Sequence, residues 1–133
     1  KAELMRKGFK ILFEGMKNIN NNFSSYGAHY IRFGLDYPHI YDLMFGNIDF
    51  NMSLYPDLKI LCDAAFTGAV TGVKLRMPNE SEKYFTIKAY SIWASAHGTV
   101  GLLRRSKLQG KQTESLEWIE NNLEKYLKMT TFA

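Results

Sequence analysis

Residues 90–105, YSIWASAHGTVGLLRR, constrain the fold more than any other stretch of the chain. They read as one buried helix whose two long sides want different neighbours. Tyr90, Trp93, His97 and Val100 make one side bulky, with polar tips. Ser91, Ala94, Ser95, Gly98 and Gly101 make another side small. Both sets recur at steps of three and four, the spacing that gathers side chains on one helical face. A glycine in a helix interior costs about 1 kcal/mol relative to alanine. Gly98 and Gly101 therefore need a reason, and close approach of another helix, within the chain or between chains, is the simplest. The bulky side offers an aromatic wall with hydrogen-bonding tips. Together the two sides point to a binding domain that pairs with itself.

The rest of the sequence carries the same helical period and no alternating strand pattern. Leu4, Met5, Phe9, Leu12, Met16 and Ile19 form an apolar stripe from Ala2 to about Asn20. The run Asn18 to Ser25 ends it, and Ser24 or Ser25 suits the next N-cap. A second helix then runs to Asp36, carrying Tyr26, Tyr30 and Phe33. Pro38 stops it and opens a short helix to Phe45, closed by Gly46 and Asn47. Asn47 to Ser53 reads as a loop. Pro56 opens a helix to about Met77 with the cleanest stripe in the chain, which predicts a central position. Asn79 or Ser81 caps the long helix Glu82–Lys107. Gly110 marks a turn, and Thr113 opens a last helix with Leu116, Ile119, Leu123 and Leu127 on one face. The expectation is an all-α single domain over residues 1–133, a bundle of about six helices.

Composition excludes several function classes. The 133 residues carry a net charge of +4 with scattered Lys and Arg, including Arg6, Arg104 and Arg105, which read as solvated helix faces and termini. No concentrated basic patch marks a nucleic-acid surface. The single cysteine, Cys62, excludes an internal disulfide and is compatible with a reducing cytosol. No apolar run reaches the 18 residues expected of a membrane span. His29, His39 and His97 have no carboxylate or cysteine at metal-site or nucleophile spacing, so no catalytic residue, metal ligand or cofactor is assigned. Aromatics are 14% of the chain, more ring surface than a small helical core usually needs.

Two residue sets follow. A ligand cavity is expected among Phe13, Tyr30, Phe33, Met44, Phe45, Cys62, Phe66, Val70, Tyr90, Trp93 and His97, with Phe9 and Met16 bounding it beside Phe13. Hydroxyl, indole and imidazole tips would orient a small, largely apolar ligand, and methionines would adapt to its shape. The competing reading is a solid core of the same rings. A homodimer through the last two helices is expected to use Ser91, Ala94, Ser95, Gly98, Gly101, Leu116, Ile119, Leu123 and Leu127, with Trp118 as an edge anchor.

The segments YIRFGLDYPHIYDLMFG and WASAHGTVGLLR resemble the C-terminal domain of tetracycline-repressor-like (TetR family) transcriptional regulators. The closest likeness is to the subgroup with a Trp, His, Gly signature, here Trp93, His97 and Gly98. The likeness spans about Ser25 to Arg105. It implies an orthogonal helical bundle that binds an unknown small-molecule effector and dimerises, in a cytoplasmic regulator that is not an enzyme. Residues 1–20 then correspond to the connecting helix. Operator DNA would be read only through an N-terminal helix-turn-helix domain that these residues do not contain. The first residues, KAELMRKGFK, look like a polypeptide entered partway through a helix. The rival expectation is a free-standing helical interaction module with no small ligand.

Overall fold

The computed structural model describes residues 1–17, 23–46 and 51–130. Those residues are all-helical, with no strand among them. Seven α-helices follow in order: α1 Ala2–Met16, α2 Phe23–Asp36, α3 Pro38–Phe45, α4 Pro56–Arg76, α5 Glu82–Leu108, α6 Glu114–Asn121 and α7 Leu123–Thr130. A single 3-10 turn, Met52–Leu54, precedes α4.

Punctuation in the sequence sets most of these ends. Pro38 and Pro56 occupy the first turns of α3 and α4, where a missing amide donor costs nothing. Ser81 caps α5, its Oγ accepting from the Tyr84 amide at 3.1 Å, and so fills the role shared in expectation with Asn79. Thr113 does the same for α6, accepting from the Leu116 amide at 3.3 Å. Gly110, with φ of +64°, turns the chain between α5 and α6. Helix α2 begins at Phe23, and Ser24 is buried inside it and is no cap. Residues 18–22, which hold the end of the expected first helix, and residues 47–50 of the expected loop lie outside the described part.

The expected last helix is two helices. At Asn122 the backbone leaves helical geometry, with φ of −138° and ψ of 44°. The cause is local. The Asn122 side-chain amide donates to the Trp118 carbonyl at 2.9 Å, the acceptor its own backbone amide would use in a continuous helix. That backbone amide bonds instead to the Ile119 carbonyl. Leu116 and Ile119 on α6 are thus uncoupled from Leu123 and Leu127 on α7.

Helices α2 and α5 are the centre. Helix α2 packs against α1, α3, α5 and α7, and α5 packs along both α2 and α4. The main core gathers Met5, Phe9 and Leu12 of α1, Ile31 and Phe33 of α2, Tyr41 and Met44 of α3, and Val100 and Leu103 of α5. Leu123 and Leu127 close it from α7. A smaller core joins Val73 of α4 to Phe85, Ala89 and Ile92 of α5. Gly8 lets α1 and α3 approach closely, since a Cβ there would collide with Ile40 and Met44.

Helix α4 is peripheral, contrary to the expectation of a central place. Of its 21 residues only Leu58 and Val73 are buried. Its stripe residues Leu61, Cys62, Ala65, Phe66, Ala69 and Val70 are all half-buried. The stripe specifies which face turns inward; the number of neighbours decides how far that face is covered, and α4 leans mainly on α5.

Candidate functional site

Three elements bring polar aromatic tips to one point. Helix α2 supplies Tyr30. Helix α3, whose start is fixed by Pro38, supplies Tyr41 and, one turn on, Phe45. Helix α5 supplies Trp93 and, one turn on, His97. The Trp93 indole Nε1–H donates to the Tyr30 hydroxyl at 2.9 Å. The Tyr30 and Tyr41 hydroxyls are hydrogen-bonded at 3.0 Å. The Tyr41 hydroxyl is in turn hydrogen-bonded to His97 Nδ1. Four side chains from three helices therefore share one unbroken hydrogen-bond chain.

Phe45 sits among these rings. Its centroid lies 5.3 Å from Tyr30, 5.4 Å from Tyr41, 6.4 Å from Trp93 and 5.9 Å from Phe9. The tilted and edge-on angles are the favoured ones for ring quadrupoles. Phe9 carries the cluster to Phe13 on α1 at 5.9 Å. On the other side, Phe66 of α4 lies 4.4 Å from the Tyr90 ring.

The inner part of this wall is sealed and the outer part is open. Tyr41 is 2% exposed. Phe13, Tyr30, Phe45, Cys62, Phe66 and His97 are half-buried. Trp93 is 38% and Tyr90 54% exposed. Burial pushes the Tyr30 hydroxyl up to about 12, against the opposing pull of its bonds to Tyr41 and Trp93. Burial, followed by the neighbouring Tyr30, pushes Tyr41 far above the usual phenol range. Both are neutral phenols near neutral pH. Burial also raises the Cys62 thiol, which disfavours the nucleophilic thiolate. The set presents hydroxyl, indole and imidazole tips beside ring surface.

One ion pair stiffens the floor. Arg104 grips Asp42 with two bonds, at 2.7 and 3.0 Å. It ties α5 to α3 one residue beyond Tyr41, and it replaces the solvated role expected for Arg104. The guanidinium hydrogen bonds hold the Asp42 carboxyl below its ordinary range.

Of the residues expected to line a cavity, Tyr30, Phe45, Trp93 and His97 meet directly, and Phe13 reaches them through Phe9. Phe66 and Tyr90 form their own tilted pair, Tyr90 lying one turn before Trp93 on α5. Val70 belongs with Phe66 to the smaller core. Met44 is buried against α1, and Phe33 packs on Tyr37 at 5.4 Å. Tyr41, absent from that set, is the middle of the chain of bonds. Its signal was in the sequence: it shares a helical face with Phe45, and a buried tyrosine needs a partner for its hydroxyl.

The residues assigned to self-pairing divide in the same way. Ser91, Ala94, Gly98 and Gly101 lie exposed on the outer face of α5. A Cβ at Gly98 or Gly101 would meet nothing within 4 Å. No close approach within the described chain accounts for these two glycines. Ser95 is half-buried, its carbonyl accepting from Thr99 at 2.8 Å. Leu116 and Ile119 are half-buried against the main core. Leu123 and Leu127 are buried in that core, Leu127 against Gly27 of α2. Leu102, at 50%, beside Gly101, and Trp118, at 43%, beside Ile119, are large exposed side chains next in sequence to those positions, as are Tyr90 and Trp93.

A separate cleft of about 410 Å³ opens on the far side of α2, lined by Ala28, Arg32 and residues 120–125. It shares no residue with the ring cluster. Among the described residues no group of His, Cys, Asp and Glu could hold a metal ion, and no helix is long and apolar enough to cross a membrane.

The chain matches no protein-family model, no curated protein and no solved structure.

Proposed function

We propose that this chain is the effector-sensing and dimerisation domain of a TetR-like transcriptional regulator, with the orthogonal bundle and cytoplasmic setting that such a regulator implies. The observation that carries the reading is the half-open ring cluster of Tyr30, Phe45, Trp93 and His97 at the meeting of α2, α3 and α5. A small, largely apolar ligand would lie against Phe45 and Trp93 and exchange hydrogen bonds with Tyr30. Its effect would pass through α3 to α1. Phe45 touches Phe9, and Met44 and Ile40 sit on Gly8, so a shift of α3 must move α1 or open that contact. Arg6 anchors the same helix to α4 through Asp57 at 2.7 Å. Helix α1 would be the lever to an N-terminal DNA-reading domain, the only part to touch operator DNA. A second copy of the chain would seat on Ala94, Gly98 and Gly101 of α5.

The rival reading is a free-standing helical interaction module. It is favoured by one observation: the polar tips of the cluster satisfy one another, and Phe45 already stands between them, so no ligand is required to complete the packing. The coding sequence upstream of Lys1 separates the two. A reading frame that continues into a three-helix, helix-turn-helix segment of roughly 45 residues, joined to α1 without a break, is expected for the regulator and fits the size of a small domain. A start codon immediately or shortly before Lys1 would overturn the regulator reading in favour of the module.

A further inference from the structure

The hydrogen-bond chain from Trp93 to His97 has a direction, and the direction decides what Tyr30 can offer a ligand. The indole N–H of Trp93 only donates. The Tyr30 oxygen, 2.9 Å away, accepts it. When His97 Nδ1 is unprotonated, Tyr41 donates to it and Tyr30 donates to Tyr41. Three protons then fill three bonds, and Tyr30 has none to spare.

When Nδ1 carries the ring proton, the count changes. His97 donates to Tyr41, and Tyr41 donates to Tyr30. The proton of Tyr30 is left over. It cannot be left on Tyr41, which is 2% exposed and enclosed by the rings of Tyr30, Phe45 and His97. Tyr30, half-buried beside the exposed edge of Trp93, is where that proton can turn outward. Both phenols keep their protons near neutral pH, so the count is fixed by the imidazole alone. Among the described residues, Asp42 and Arg104, next to the cluster, are bonded to each other.

We infer that the site takes flat aromatic ligands bearing a neutral carbonyl acceptor, and that binding one reverses the hydrogen-bond chain by moving the His97 ring proton from Nε2 to Nδ1. No proton is gained or lost. The carbonyl oxygen accepts from Tyr30, Tyr30 accepts from Tyr41, and Tyr41 accepts from His97. This deepens the sensing role proposed above and rests on it. It also gives the ligand a second route into the fold, since Tyr41 and Asp42 are adjacent residues of α3, the helix that seats α1.

Two probes of matched shape test it, acetophenone and ethylbenzene. Nitrogen-15 NMR reads the His97 tautomer, and the Trp93 indole resonance reads binding. The free protein is expected to show the Nε2–H tautomer. Acetophenone is expected to convert it to Nδ1–H, while ethylbenzene binds and leaves it unchanged. Tyr30→Phe should weaken acetophenone about fivefold relative to ethylbenzene, the worth of one hydrogen bond. Comparison between the two probes cancels any general damage to the site. A free protein already in the Nδ1–H form, or acetophenone bound with the tautomer unchanged, would overturn the inference alone. If neither probe moves the Trp93 resonance, the ligand reading itself fails and this inference falls with it.

Discussion

Phe9→Ala is expected to lower the unfolding free energy by about 4 kcal/mol, the range for truncating a fully enclosed ring. Phe9 is 0% exposed and lies 5.9 Å from both Phe13 and Phe45. Its loss removes the ring through which α1 meets the aromatic cluster. Urea denaturation measures the change. Leu4→Ala on the outer side of the same helix, where Leu4 is 47% exposed, should stay within about 0.5 kcal/mol of the parent. Equal small losses at both positions would show that α1 is not held in the core as described, and the lever proposed for it would have no fulcrum.

The second large effect has two parts of opposite sign. Gly98 and Gly101 stand in a helix interior with open space beyond them. Leucine at each position should strengthen the helix of an isolated chain by about 1 kcal/mol, because the glycine penalty disappears and nothing is struck. If the face receives a second copy, the same two leucines hold the helices apart. Association should then weaken at least a hundredfold, about 3 kcal/mol. Sedimentation equilibrium on the parent and the double variant reads both states. A parent chain that is monomeric at micromolar concentration, or a double variant that associates as well as the parent, would refute self-pairing through α5.

The periodicity of apolar residues placed the helices because a helix records its buried face in its own sequence. Prolines 38 and 56, Ser81, Thr113 and Gly110 placed most of their ends because each acts on backbone within a turn of itself. The break at Asn122 was hidden, since it depends on a side-chain amide choosing the Trp118 carbonyl over other partners. The peripheral place of α4 was hidden for a different reason. Its stripe from Leu58 to Val73 gives orientation, while burial depends on what other helices leave uncovered. The burial of Leu123 and Leu127 was hidden likewise, since their spacing gives a shared face and not what covers it.

The site was legible in part. Trp93 and His97 share a face of α5 by spacing alone, and the structure places them one turn apart at the same cluster. That Tyr30 and Phe45 would meet them required the crossing of three helices, which spacing does not encode. Tyr41 was passed over although Met44 and Phe45 of the same short helix were placed in the cavity, because spacing shows the shared face and not that the Tyr41 hydroxyl meets Tyr30 and His97. Arg104 looked solvated because its partner, Asp42, is distant in sequence and lies on another helix.

The central claim is that the half-open ring cluster takes up a small molecule. It is tested most directly by titrating the Trp118→Phe variant, in which Trp93 is the remaining tryptophan, with a panel of flat aromatic and amphipathic compounds. The expected result is saturable quenching of Trp93 fluorescence by members of the panel, with a matching rise in melting temperature, because a ligand that binds only the folded state stabilises it. At a ligand concentration 100 times its Kd the stabilisation should be about 2.7 kcal/mol. No saturable quenching by any compound, together with an unmoved melting temperature, would contradict the claim and leave the rings as core.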